Sequence, residues 1–232
     1  MNAKSVIIFF LLVVLLTACN LTSSNPLNKS ATLPTIPPTS LPFANSLPAE
    51  SAPTPILTPQ NIAPSSTQQR ILDRAAGVIA AIKNQDMAIL SGYVHPVEGL
   101  RFSPYAFVSD TNQVFSVDQV ASMMADSKVY TWGQYSGSGE PIDLGFPAYY
   151  SQFLYDVDFA NAPEMSLNHR LGASTSMDNI FEYYQNSMFV EFYFPGFDAQ
   201  YEGLDWRSLR LVFAEYNGTW YLVGIIHDQW TT

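Results

Sequence analysis

The chain has 232 residues, and its 20 Asp and Glu against 10 Lys and Arg give a formal charge of −10 at pH 7. That balance repels phosphate backbones, so nucleic acid is not an expected partner. Its single cysteine, Cys19, excludes an internal disulfide, thiol catalysis in the folded part and any cysteine-built zinc site.

In chain order, the first segment is MNAKSVIIFFLLVVLLTAC, with Lys4, an unbroken apolar run over 6–16, and small residues before Cys19. A run this short reads as the h-region of an export signal, not as a bilayer span. Leu16, Thr17, Ala18 and Cys19 resemble the lipobox of bacterial lipoproteins. The resemblance implies a signal peptide over 1–18, lipidation of Cys19, and an extracytoplasmic domain attached to a bacterial membrane through its N-terminal lipid. Residues 19–66 form the next segment, where ten of the sixteen prolines fall among Ser, Thr, Asn and Ala, with only Lys29 and Glu50 charged. Such a stretch lacks the apolar surface to fold and reads as a disordered tether. Its reach is on the order of 150 Å if wholly polyproline II at about 3.1 Å per residue, and nearer ~40 Å as a flexible coil.

Residues 67–232 are expected to fold as one α+β domain. Ile71, Ala75, Val78, Ile79 and Ile82 recur at helical spacing, Asp86 is placed to cap a second short helix, and that helix must end before His95-Pro96. Strand character follows in LRFSPYAFV and KVYTWGQY, with a helical interlude VDQVASMMA between them. After the SGSGEP loop, PAYYSQFLYD reads as helix, and the strands MFVEFYF, SLRLVFAEY and TWYLVGIIH end the domain. Asn217-Gly218 joins the last two strands as a tight turn, because both residues tolerate positive φ.

This order, with NQDMAILSGYVHP and the final hairpin as its best-fitting parts, resembles the NTF2-like (cystatin-like α+β) superfamily. The resemblance implies N-terminal helices packed on a curved antiparallel sheet, forming a cone whose mouth can hold a small molecule. GLRFSPYAFV and GLDWRSLRLVF also resemble segments of uncharacterised bacterial surface lipoproteins.

GIIHDQW, over 224–230, holds the most suggestive polar pair, His227-Asp228. A two-residue turn at Asn217-Gly218 pairs Phe213 with Leu222, Leu211 with Gly224, Leu209 with Ile226 and Arg207 with Asp228 on the core face. It leaves His227 on the other face near Ser208 and Arg210. Adjacent strand residues point to opposite faces, so His227 and Asp228 form no dyad, and Asp228 is expected to pair with Arg207. A single bulge would exchange these faces. His227 and His95 are the candidate general bases, while His169 is a loop residue. No histidine pair has metal-ligand spacing, and YDVDFANAPE departs from a calcium loop at its fifth and sixth positions, so neither metal nor cofactor is expected. Tyr149, Tyr150, Tyr183, Tyr184 and Trp206 are the candidate ligand-binding aromatics. The expected function is a non-catalytic domain presenting a surface or pocket to a small molecule, a glycan or an envelope protein. The alternatives are an isomerase- or hydrolase-like enzyme with a histidine base, and an assembly module of the cell envelope.

Overall fold

The structure is a computed structural model that describes residues 65–172 and 177–231, all within the compact unit Thr58–Thr232. The signal segment, Cys19 and the tether up to residue 64 lie outside the described residues. Helix α1, Ser66–Lys83, opens on a capping box: the Ser65 hydroxyl accepts from the Gln68 amide, and the Gln68 side chain returns to the Ser65 amide. Its apolar stripe, Ile71, Ala75, Val78, Ile79 and Ile82, is buried as the spacing predicts. Helix α2, Met87–Ser91, starts where Asp86 accepts from the Ile89 amide at 2.9 Å. The interlude becomes α3, Val117–Ser122, and PAYYSQFLYD becomes α4, Phe146–Tyr149, followed by a wider π-type turn over Tyr150–Leu154.

Eight strands follow one another: β1 Leu100–Ser103, β2 Val114–Phe115, β3 Val129–Gln134, β4 Pro141–Gly145, β5 Glu164–Leu167, β6 Met188–Phe194, β7 Arg207–Tyr216 and β8 Thr219–Gln229. A short helix α5, Ile180–Tyr183, precedes β6. Six of the strands form one sheet in the order β2-β1-β8-β7-β6-β5, and β3 with β4 forms a separate two-stranded sheet. The NTF2-like cone does not form. The six-stranded sheet is open, with β2 and β5 as its edges, and β1 runs parallel to β8 with Phe102 beside Ile225. The space assigned to a ligand-holding cone is filled by the core: Trp132 stacks on Tyr149 at 3.8 Å, with Phe102, Phe146 and Phe153 around them. The supported architecture is an α+β domain with an open sheet.

The final hairpin turns at Asn217 (φ 51°) and Gly218 (φ 78°), as the Asn-Gly pair predicts. Its register then shifts. Phe213 pairs with Leu222, but Val212 pairs with Gly224, so Val223 is the extra residue of a β-bulge. Beyond the bulge, Leu209 faces His227, Ser208 faces Asp228 and Arg207 faces Gln229. The faces are therefore the reverse of the unbulged expectation. His227 joins Leu209, Leu211 and Ile225 on the helix side, while Asp228 joins Ser208, Arg210 and Ile226 on the opposite side.

Candidate functional site

The bulge sorts the polar residues of β7 and β8 into two groups. On the face away from α1, where Ile180 of α5 packs, Glu191, Ser208, Arg210 and Asp228 are all wholly buried. Cross-strand pairing sets Glu191 against Arg210 and Ser208 against Asp228, so the four meet without leaving their strands. Arg210 bonds Asp228, and its Nη1 donates to Asp178 at 2.6 Å; Arg170 reaches Asp228 at 3.2 Å. The Ser208 hydroxyl bonds Glu191, which also accepts from the amides of Leu171 (2.6 Å) and Gly172 (3.3 Å). Gly172 is required here, since a Cβ on it would meet the Trp206 ring at 2.8 Å. Two guanidiniums thus face three carboxylates, with Arg210, Glu191 and Asp228 buried and Arg170 and Asp178 partly exposed. Burial pushes the Asp228 carboxyl up from its ordinary value, and Arg210 and Arg170 only partly offset that. These groups are sealed and mutually engaged, so they fasten the segments on either side of 173–176 to the sheet.

On the helix side, His227 is also wholly buried, edge-on to Phe153 and Phe159. Its Nδ1 lies 3.3 Å from the Pro104 carbonyl oxygen, and its Nε2 lies 3.3 Å from Oδ1 of Asp156. Asp156 Oδ2 in turn accepts from Nε of Arg207 at 2.8 Å, and Arg207 Nη1 donates to the carbonyls of Asp205 and Trp206. Burial raises the Asp156 carboxyl, but His227 and Arg207 outweigh it and hold the group below its usual value. The expected Arg207–Asp228 pair is replaced by Arg207–Asp156 and Arg210–Asp228, because the bulge puts Arg207 and Asp228 on opposite faces.

Asp156 and Arg207 form part of the wall of an open cleft of about 450 Å³, shared with Tyr105, Tyr135, Phe153, Phe197, Ser151, Gln152 and Gln229. The π-type turn, closed by the Tyr155 amide on the Tyr150 carbonyl at 2.7 Å, brings Ser151, Gln152 and Phe153 to this wall together. Tyr135 follows Gly133, whose φ of 146° lets the strand pass close to Pro104. The Tyr135 hydroxyl donates to the Gln152 side chain at 3.4 Å, and the Tyr105 hydroxyl accepts from the Ser136 amide at 3.3 Å. Tyr105 also borders a second hollow of about 570 Å³, lined by hydroxyls, amides and Phe107 and by no charged residue.

The residues singled out by sequence are scattered. His95 is buried at a turn, its Nδ1 accepting from the amides of Val97 and Glu98, with Nε2 3.9 Å from the Glu98 carboxylate. His169 is exposed. Tyr149, Tyr150 and Trp206 are core residues, with the Tyr150 hydroxyl donating to the Ile82 carbonyl. Tyr183 and Tyr184 border a hollow of about 280 Å³ with Arg101 and Glu98, which shares no residue with the cleft. Asp158, in the stretch that departs from a calcium loop, accepts from Tyr155, Lys83 and Asn161. Among the described residues, no group of three or more His, Cys, Asp and Glu is gathered to hold a metal ion, and no helix is long and apolar enough to cross a membrane. The cleft residues Tyr105, Tyr135, Phe153 and Phe197 carry no local motif. The one signal pointing to them is Gly224 inside an apolar strand, since an isolated strand glycine marks a bulge and would have turned His227 toward this wall.

No family model matches the chain, and no curated protein matches it. Among solved structures, a Xanthomonas campestris protein described as a calcium/calmodulin dependent protein kinase II association domain aligns at 12% identity and a TM-score of 0.31, covering 75% of this chain and 97% of its own. A DUF4783 family protein from Bacteroides ovatus aligns at 13% identity and a TM-score of 0.25, covering 66% and 93%. At these scores the likeness carries no argument about function, so the function rests on the cleft itself.

Proposed function

We propose that the chain is an extracytoplasmic protein anchored through lipid on Cys19, whose folded domain binds a neutral, carbohydrate-like ligand without transforming it. The observation that carries this reading is the chemistry of the cleft: four aromatic side chains interleaved with neutral hydrogen-bonding groups, its two charges already spent on each other. Sugar rings present apolar C–H faces to aromatic rings and hydroxyls to amides, which is the complement of that wall. A phosphorylated or strongly charged ligand finds no free counter-charge among the lining residues. The lipobox-like Leu16-Thr17-Ala18-Cys19 and the proline-rich stretch after it support an anchored location in which glycans are at hand.

Support for a non-catalytic role comes from His227. A general base needs a nitrogen turned toward the reacting proton, whereas one ring nitrogen of His227 faces Pro104 and the other faces Asp156. Isothermal titration of the full-length chain with chitotriose, cellotriose and maltotriose tests the reading. Saturable binding of at least one, weakened about tenfold by Tyr135→Ala through the lost ring contact, is the expected result; absence of binding to all three would defeat it.

A further inference from the structure

Arg70 and Arg74 stand one turn apart on α1 and converge with Trp220 on a hollow of about 280 Å³, also lined by Asp73, Gly218 and Thr219. This is separate from the carbohydrate cleft, and none of its residues lines that cleft. In a chain of charge −10, several cations of the domain are neutralised by carboxylates, Lys83 by Asp158, Arg207 by Asp156 and Arg210 by Asp178 and Asp228, while Arg101 is taken up by the Ser109 and Asn112 carbonyls and Lys128 lies over the Tyr130 ring. Among the described residues, Arg70 and Arg74 have no carboxylate within ion-pair distance. Arg70 donates to the Thr67 hydroxyl at 3.0 Å, and Arg74 lies over the rings of Tyr93 and Tyr221 at 5.0 and 5.4 Å. Nε of Arg74 is buried and has no hydrogen-bond partner. Asp73 is held by Gln69, which donates to its Oδ1 at 2.8 Å.

Two like charges four residues apart on a helix repel each other, and an acidic chain has carboxylates to spare for relieving that repulsion. Here no described carboxylate pairs with either arginine, and Thr67 and the two tyrosine rings are their neighbours. The tyrosine rings hold the Arg74 guanidinium, Arg70 is exposed and, among the described residues, tied only to the Thr67 hydroxyl, and Trp220 and Thr219 share the lining with Asp73, whose carboxylate Gln69 engages. Planar guanidinium forks of this kind match the oxygens of a phosphate group. We infer that this hollow is a phosphate-group binding site, lined by Arg70, Arg74 and Trp220.

The phosphate could be free or carried by a lipid headgroup, and two probes separate the sources. The full-length chain is titrated at constant ionic strength with inorganic phosphate and, separately, with dihexanoyl phosphatidylglycerol. The readout is the indole N–H resonance of Trp220, identified by its loss in Trp220→Phe. A saturable shift is expected, with Arg70→Ala weakening the affinity at least about tenfold as one charge-assisted contact is lost. Arg70 is exposed, so that variant keeps the fold, and unchanged resonances elsewhere verify this. Response to both probes assigns a free phosphate site, and response to the phospholipid alone assigns a headgroup site. No saturable shift with either probe, or equal affinity in Arg70→Ala, overturns the inference.

Discussion

His227 and Asp228 are neighbours in sequence and belong to two different environments. Asp228 sits on a face where charges are sealed against one another, two guanidiniums among three carboxylates, and burial leaves its carboxyl raised. His227 sits on the helix face among aromatic rings, and its carboxylate partner Asp156 reaches the wall of an open cleft with its carboxyl lowered. The contrast teaches that burial alone does not set the state of an acid. Both are buried, but at Asp156 an imidazole and a guanidinium outweigh the desolvation, whereas at Asp228 desolvation outweighs Arg210 and Arg170. The ion-paired face fastens the fold, and the cleft-facing side carries the proposed binding surface.

The comparison breaks most sharply at Arg210. Arg210→Met leaves Glu191, Asp228 and Asp178 without their shared cation, and chemical denaturation is expected to show a loss of about 3–5 kcal/mol. Replacing Arg210, Glu191 and Asp228 together by Met, Leu and Leu is expected to restore most of it, since the buried charges then vanish as a set. On the other face, His227→Leu leaves Oδ1 of Asp156 and the Pro104 carbonyl facing an apolar side chain while Arg207 keeps Oδ2, and the same assay should read about 1–3 kcal/mol. Ligand affinity should fall with it as the cleft wall loosens. Gly218→Ala touches neither face: a Cβ there meets nothing within 4 Å, but φ of 78° disfavours it, so the expected loss is about 1 kcal/mol.

The smallest effect is on pH dependence, and its sign distinguishes the carboxylates. Asp158 is lowered to about 2 by the Tyr155 hydrogen bond, then by Lys83 and Asn161, and Asp156 is lowered as well. Both contribute stability above the unfolded value, near 4, which is lost as pH falls through their folded values. Asp228 is raised, so its protonation on acidification favours the folded state and opposes that loss. Urea midpoints between pH 5 and 2 should therefore fall less steeply in Asp158→Asn than in the parent chain, and more steeply in Asp228→Asn.

The helices were legible because their signals are local: the Asp86 cap, the Ile71-to-Ile82 stripe and the Asn217-Gly218 turn each act within a few residues. The open sheet was not, since the parallel pairing of β1 with β8 joins residues over a hundred positions apart and no single-strand pattern encodes it. Nor was the partnership of Asp156 with His227 and Arg207, which needs both that topology and the bulge at Val223. The bulge alone decides which of two adjacent residues faces the cleft, and a hairpin register counted from its turn misses it. Tyr149 and Trp206 are aromatic like Tyr135 and Phe197 but fill the core, because pocket and core draw on one aromatic vocabulary.

The central claim, that the His227 side of β8 supports a binding cleft and not a reaction, is tested most directly by NMR of the full-length chain titrated with chitotriose. The account predicts saturable shifts concentrated at Tyr105, Tyr135, Gln152, Phe153 and Phe197, with the sugar recovered intact. Shifts gathered instead around Tyr183 and Tyr184, or cleavage of the sugar that stops in His227→Gln, would contradict it.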